Sequence, residues 1–287
     1  MFKAFASCAA AYLVASAVAL GFGFGVAWTD PIAIAGGADV AATVAIFLFS
    51  LAYGNSSFYD PYWSVAPIAI ALYWALTPEA LAADGARQLA VVALVGLWGA
   101  RLTYNWARGW RGLDHEDWRY VDMRRSSGRA FWPVSFLGIH LLPTILVFLG
   151  CLSLYPALTS GGAPFGALDL LAVLVTGGAI WIEARADAQL LRFRASRPEP
   201  GAILYEGLWA LSRHPNYFGE MGFWWGLYLF ALAADPSYWW TIAGPLAITL
   251  LFRFISLPMI EKRMCERRPE FAAHAERSSL VIPWFPR

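Results

Sequence analysis

Charged residues are scarce in this chain of 287 residues. Asp, Glu, Lys and Arg together make up 14% of the sequence, whereas hydrophobic residues make up 59%. Soluble domains carry roughly 25% charged residues, so the composition excludes an ordinary water-soluble domain. A net charge of +1 and the lack of a basic tail argue against a nucleic-acid partner. The composition therefore predicts an integral membrane protein.

Cysteine and histidine are also sparse. The three cysteines are far apart and form no CxxC motif, so we expect neither a disulfide framework nor a redox pair. The four histidines show no HxxxH or HExxH spacing, and no metal site is predicted. His140 stands alone inside an apolar run, where we expect it to form a hydrogen bond with a neighbouring helix.

Long apolar runs dominate what remains. A helix that crosses a bilayer needs roughly 20 apolar residues, and we expect eight such helices in one domain covering residues 1–287. The second run is short, which leaves a re-entrant segment open as an alternative. The predicted spans are 5–27, 38–54, 63–82, 88–108, 131–155, 166–186, 217–234 and 239–257.

The basic residues fall mainly on one side of this arrangement. With eight spans and a cytoplasmic N-terminus, 18 of the 21 Lys and Arg residues lie in cytoplasmic segments. The positive-inside rule favours this orientation, so both termini are predicted to be cytoplasmic. Three of these segments are rich in polar residues, namely 108–130, 185–216 and 258–287. We therefore expect a multi-pass membrane protein whose active site faces the cytoplasm.

The densest group of polar residues directly precedes the seventh apolar run. Within eight residues it offers a guanidinium, an imidazole, an amide, a phenol and a carboxylate, a combination typical of a binding site. These groups belong to Arg213, His214, Asn216, Tyr217 and Glu220.

Asp60 lies between the second and third runs, directly before Pro61. Proline favours the first turn of a helix, so one interpretation is a carboxylate that caps the third helix. The other is a carboxyl group that faces a cavity, stays protonated through desolvation and donates a hydrogen bond to a substrate carbonyl. Tyr59, Tyr62 and Trp63 would then contact the substrate.

The fourth span carries Arg101, Tyr104, Asn105 and Arg108, which are three and four residues apart and share one helix face. An arginine at membrane depth normally faces the bundle interior, so this face is predicted to line a cavity.

A second polar group follows the sixth span. Guanidinium groups match phosphate oxygens, so the arginines here favour a phosphate-bearing cofactor, with lipid headgroups as the alternative ligand. The group comprises Glu183, Asp187, Arg192, Arg194 and Arg197.

The motif Arg213–Glu220, together with 116–120 and the tail 261–283, resembles the membrane family catalogued as domain of unknown function 1295, which is related to the C-terminal region of steroid 5α-reductases. The resemblance runs from about Asp60 onward and implies a cofactor region at about 183–287. It implies that Asn216 contacts a nicotinamide cofactor and that Asp187, Arg192 and Arg197 contact NADPH. It also implies that Asp60 takes the place of the glutamate facing the substrate ketone, with Tyr104 as its partner phenol.

The resemblance thus leads us to expect an NADPH-dependent reductase of a carbon-carbon double bond that is conjugated to a carbonyl group, in a lipophilic steroid-like or isoprenoid substrate taken from the bilayer. A similar Arg-His-Pro motif occurs in isoprenylcysteine carboxyl methyltransferases. Methyl transfer from S-adenosylmethionine to a lipid-like acceptor is therefore the alternative.

Overall fold

The computed structural model describes residues 1–199 and 201–285, and all regular secondary structure in these ranges is helical. Arg287, one of the basic residues counted above, lies outside them. The α-helices are α1 (Phe2–Gly25), α2 (Pro31–Tyr53), α3 (Tyr62–Ala75), α4 (Gly85–Gly109), α5 (Trp118–Ser127), α6 (Phe131–Ser135), α7 (Leu142–Cys151), α8 (Leu154–Thr159), α9 (Ala167–Ala195), α10 (Leu208–Leu211), α11 (Pro215–Ala234), α12 (Ala243–Leu251), α13 (Leu257–Arg267) and α14 (Phe271–Arg277).

Five helical stretches of the described chain are long and apolar enough to cross a membrane, as expected of a membrane protein. They are Phe2–Gly25, Pro31–Tyr53, Trp118–Cys151, Ala167–Ala195 and Pro236–Arg267. Of the other predicted spans, α4 and α11 have 25 and 20 residues, whereas α3 has only 14 and is followed by a 3₁₀-helix. The count of eight and the orientation of the termini stay predictions.

The second apolar segment forms a longer helix than its apolar run indicated. Asp30 accepts a hydrogen bond from the backbone N–H of Ile32 at 2.9 Å, and Pro31 occupies the first turn, so α2 begins seven residues before the predicted start at 38. Gly54, with φ of +64°, ends the helix. At 23 residues, α2 is about 35 Å long, enough to cross the hydrocarbon core.

Two helical stretches change register at a proline. A π-helical turn at Phe136–Leu141 precedes Pro143, and another at Phe252–Ser256 precedes Pro258. Proline has no backbone N–H, so the α-helical hydrogen-bond ladder is interrupted and the backbone shifts register locally. This divides the predicted span at 131–155 into α6, the π-turn, α7 and α8.

The most extensive helix contact joins α9 and α11. Gly219 and Gly226 of α11 face α9, and a Cβ atom added to Gly226 would lie 2.9 Å from the backbone nitrogen of Thr176. Small residues at such positions let two helix backbones approach closely. The close approach brings Glu183 of α9 and Glu220 of α11 to the same level of the bundle.

Buried aromatic rings join α4 to α11. Trp98 stacks on Phe223 with ring centroids 4.3 Å apart, and Trp224 meets Trp98 edge-on at 5.4 Å. All three side chains are almost completely buried. Offset-stacked and edge-to-face pairs are favourable arrangements, so these rings fix α4 against the middle of α11.

A buried ion pair holds the opposite end of these helices. Arg87, near the start of α4, is fully buried and donates to both carboxylate oxygens of Asp169 at 2.6 and 2.9 Å. Its remaining N–H groups donate to the carbonyl oxygens of Ala163 and Pro164. The guanidinium group of Arg87 is therefore hydrogen-bonded to protein oxygens instead of water, and it joins α4 to the start of α9.

Candidate functional site

Asp60 forms a hydrogen bond with a phenol rather than capping a helix. It follows a 3₁₀-helix at Ser56–Tyr59 and precedes α3, whose N-cap is Pro61. The hydroxyl group of Tyr120 donates to Asp60 Oδ1 at 2.8 Å. Asp60 is thus part of a carboxyl and phenol pair at the end of the bundle where α2 ends and α3 begins.

Tyr120 reaches Asp60 because the segment before α5 is docked on this junction. The amide of Asn55 donates to the carbonyl oxygens of Leu113 and His115, at 2.8 and 3.1 Å. The Glu116 carboxylate accepts from the backbone N–H of Ser56 at 2.8 Å. These contacts between distant parts of the sequence fix the start of α5 over Asp60.

The pair is poised to exchange a proton near neutral pH. Burial raises the pKa of Asp60 from 3.8 to about 7, although the hydrogen bond from Tyr120 acts in the opposite direction. A carboxyl group with a raised pKa keeps its proton to higher pH, and in its neutral form it can act as a hydrogen-bond donor.

An apolar cavity of about 200 Å³ lies beside this pair, between α1, α3 and α4. Almost none of its lining is polar. The residues that line it include Cys8 and Tyr12 of α1, Pro61 next to Asp60, and Trp106 of α4. Asp60 and Tyr120 are not among the lining residues, so the cavity adjoins the pair through Pro61.

The other residues predicted around Asp60 lie elsewhere. Tyr104 is 63% exposed on α4, where the Arg108 guanidinium lies 5.4 Å from its ring centroid, so the phenol that bonds Asp60 is Tyr120. Tyr59 and Tyr62 are buried, and their hydroxyl groups bond to groups of α7 and α2. The ring of Trp63 packs against Trp98 in the core.

A second polar cluster joins α4 to α9. Arg101 forms ion pairs with Glu183 and with Asp187, the latter at 2.9 Å. Asn105, one turn further along α4, donates to the same Asp187 oxygen at 3.0 Å. Arg101 and Asn105 thus turn inward, as predicted, towards two carboxyl groups of α9, whereas Tyr104 and Arg108 of the same predicted face are exposed.

Glu220 and Asn216 of α11 complete this cluster. The indole N–H groups of Trp98 and Trp224 donate to the two oxygens of Glu220, at 3.0 and 2.9 Å, and Glu220 is 5% exposed. Asn216 Oδ1 is buried and has no hydrogen-bond partner in the described part of the chain. A buried acceptor without a donor is costly, so this oxygen marks a position where a ligand donor would be stabilised.

The rest of the motif holds the C-terminal tail. Arg213 donates to both oxygens of Glu261, at 2.6 and 3.1 Å, and His214 Nε2 lies 3.1 Å from the same carboxylate. The backbone N–H of Arg213 donates to Ser279 at 2.9 Å. The motif and the tail, far apart in sequence, therefore meet, and a cavity of about 350 Å³ opens between them.

The predicted phosphate-binding arginines lie in the last turn of α9 and directly after it. Arg192, Arg194 and Arg197 are all exposed. Burial and, to a smaller extent, the neighbouring Arg194 lower the pKa of Arg268.

Several residues of the site were not predicted from the sequence. Tyr120 belongs to the motif at 116–120 but was not predicted as the partner of Asp60. Trp98 and Trp224 were missed, although Trp98 is three residues before Arg101 and Trp224 is four after Glu220, so helical spacing could have revealed both. Tyr217 packs edge-on against Phe252 at 4.9 Å. Among the described residues, no group of three or more His, Cys, Asp or Glu side chains is arranged to hold a metal ion.

Comparisons with known proteins cover most of these residues. The sequence profile described as "Protein of unknown function (DUF1295)" matches residues 46–278. An uncharacterized protein of Schizosaccharomyces pombe, C594.04c, is 28% identical in an alignment of 255 residues that covers 81% of this chain and 73% of the yeast protein. No solved structure matches the chain.

Proposed function

The chain belongs to the DUF1295 family, and from the geometry of its site we propose that it is an NADPH-dependent reductase of a carbon-carbon double bond. The bond would be conjugated to a carbonyl group in a lipophilic, steroid-like or isoprenoid substrate. The observation that carries this proposal is the pair of Asp60 and Tyr120 beside an apolar cavity.

The pair has the chemistry that such a reduction requires. As hydride reaches the β carbon of an enone, negative charge develops on the carbonyl oxygen. A neutral Asp60 donates a hydrogen bond to that oxygen and then its proton, while Tyr120 holds the carboxyl group in position. A preorganised donor of this kind is worth about 3 kcal/mol in a site without water. The apolar walls of the cavity favour a substrate that comes from the bilayer.

The second cluster has groups that match a nicotinamide dinucleotide. When bound, this cofactor supplies the hydride. The unpartnered Oδ1 of Asn216 is a suitable acceptor for the nicotinamide carboxamide. Arg192, Arg194 and Arg197 are exposed and suited to its phosphates, whereas Asp187 is already bonded to Arg101 and Asn105. In this proposal Arg213 and His214 position the tail rather than the cofactor.

The proposed arrangement in the membrane has eight spans and two cytoplasmic termini. It rests on the one-sided distribution of basic residues. The Asp60 pair, the Arg101 cluster and the motif then share the cytoplasmic side, where NADPH is available.

One observation favours methyl transfer from S-adenosylmethionine instead. Three carboxyl groups, those of Glu183, Asp187 and Glu220, surround the single cation Arg101. A surplus of buried acidic groups would stabilise a sulfonium ion. The exposed arginines weigh against this alternative, because S-adenosylmethionine has no phosphate.

Binding of NADPH, NADH and S-adenosylmethionine to the purified protein separates the two proposals. We expect NADPH to bind, and S-adenosylmethionine not to. Asn216→Ala should weaken NADPH binding, while Asp60→Leu should abolish enone reduction and leave NADPH affinity within about threefold, because its side chain is not in the cofactor cluster. Binding of S-adenosylmethionine without NADPH would refute the reductase.

A further inference from the structure

The helix α13 lies between the two halves of the site. It ends the helical stretch Pro236–Arg267 and carries Glu261 and Arg263, which are two residues apart. Successive residues of an α-helix are about 100° apart around its axis, so these two side chains point to nearly opposite sides. Glu261 binds Arg213 and His214 of the motif. Arg263 points away from the motif, and its contacts are with a different helix.

Arg263 contacts α5, the helix that carries Tyr120. Its guanidinium lies 3.9 Å from the centroid of the Trp118 ring, and its Nη1 donates to Asp122 Oδ2 at 3.4 Å. The Arg263 side chain is only 24% exposed, whereas Asp122 is half-exposed. A guanidinium over an indole ring is attracted to it, and more strongly where water is partly excluded. The contact with Trp118 therefore contributes more than the ion pair, which is at the surface.

Trp118 and Tyr120 belong to the same first turn of α5. The backbone N–H of Tyr120 donates to the carbonyl oxygen of Asp117 at 3.0 Å, which closes this turn. On one side of the turn the Tyr120 hydroxyl donates to Asp60, and on the other side Arg263 covers Trp118. Because only one residue separates Trp118 from Tyr120, a movement that releases the indole also displaces the phenol.

We propose that Arg263 is a positioning residue of the Asp60 and Tyr120 pair, and that α13 links this pair to the motif. Arg263 holds the first turn of α5 in place, while Glu261 holds the opposite side of α13 on Arg213. The pair is then complete only while the tail is docked on the motif. The link consists of contacts within the protein and needs no ligand, whereas its effect on catalysis rests on the proposed function.

Amide hydrogen exchange of the purified full chain, read by mass spectrometry in the peptide that covers α5, tests the link. Arg263→Gln removes the guanidinium and should speed exchange in α5 about tenfold, equivalent to about 1.4 kcal/mol in the free energy of local opening. Glu261 forms its ion pairs in the described chain with the motif, yet Glu261→Gln should speed exchange in α5 about threefold, because α13 is then held less firmly. Lys262→Gln is the matched control, since it removes one exposed positive charge from the same helix and should leave α5 unchanged.

Each of these variants can overturn the proposal. Unchanged exchange in Arg263→Gln would refute the positioning role, and unchanged exchange of α5 in Glu261→Gln would refute the link to the motif. Equal acceleration in Lys262→Gln would mean that loss of charge alone loosens α13, which also contradicts the proposal. If Arg263→Gln does not fold, Trp118→Leu removes the same contact from the side of α5, and an unaltered exchange rate in that variant would refute the positioning role.

Enone reduction distinguishes positioning from a general loss of structure. Arg263→Gln should lower kcat about tenfold and leave KM for NADPH within about twofold. In a Tyr120→Phe background the same substitution should change kcat by less than about twofold, because the hydroxyl group that it positions is absent. Equal losses in both backgrounds would contradict the positioning role. If the unaltered protein binds no NADPH, the proposed reductase is refuted, and the exchange measurements still decide whether α13 links the two halves of the site.

Discussion

The raised pKa of Asp60 makes a quantitative prediction about stability. A carboxyl group whose pKa is higher in the folded protein binds its proton more tightly there, so its ionisation destabilises the fold. The pKa rises from 3.8 to about 7. No destabilisation is present well below pH 3.8; it grows by about 1.4 kcal/mol per pH unit between the two values and stays constant above pH 7, at about 4 kcal/mol. Because Asp60 is partly exposed, this figure is an upper value.

Asp60→Asn should remove this pH dependence. Asparagine cannot ionise, and its Oδ1 can still accept the hydrogen bond from Tyr120. The variant should gain about 3 kcal/mol relative to the unaltered protein between about pH 5 and about pH 8. For a chain of this size that gain corresponds to roughly 5 to 10 °C in the midpoint of thermal unfolding.

The assay is thermal unfolding of both proteins in detergent across this pH range. Asp114→Asn is the matched control, because Asp114 is an exposed carboxylate in the segment before α5. Its unfolding midpoint should follow that of the unaltered protein at each pH. If Asp60→Asn and Asp114→Asn have the same pH profile, the carboxyl group of Asp60 is not desolvated and the reasoning is refuted.

Three further predictions concern packing. Arg87→Met and Asp169→Leu should each lower the free energy of unfolding by about 3 to 5 kcal/mol, because each variant leaves a buried charge unpaired. The double variant removes both charges and should recover most of that loss. An equal loss in the double variant would contradict this explanation. Gly226→Ala should lower the unfolding midpoint by forcing α11 away from α9, at a cost of about 1 to 3 kcal/mol, whereas Gly177→Ala, with its nearest neighbour at 4.0 Å, should not. Glu261→Gln should speed amide hydrogen exchange in the tail, because the motif loses its ionic partner; unchanged exchange would show that the tail is held by other contacts.

The sequence predicted the helical class and the polar faces better than it predicted their partners. Helical spacing correctly turned Arg101 and Asn105 inward, and the solitary His140 does bond a neighbouring helix, through Ser50 of α2 at 3.1 Å. Those predictions depend only on the sequence of a single helix and on its periodicity. The partner of Asp60 could not be obtained in this way, because Tyr120 reaches it only after Asn55 has docked a loop about 60 residues further along the chain.

Asp39 shows that a wrongly predicted helix boundary can conceal the burial of a carboxyl group. An apolar run beginning at 38 puts Asp39 at the membrane surface, where a carboxylate is unremarkable. The start signal is the capping residue Asp30 with Pro31, seven residues earlier. With that start, Asp39 lies inside the helix, where it is buried and accepts a hydrogen bond from Tyr62.

The length of α9 sets how far a ligand of this protein has to reach. Its 29 residues extend about 43 Å, while the hydrocarbon core of a bilayer is about 30 Å thick. With Asp169 near one boundary, the helix leaves the hydrocarbon close to Asp187, and its last two turns stand about 10 Å into the water. On this placement, a molecule held by Arg192 and Arg194 and also by Asn216 would extend from bulk solvent to the level of the headgroups.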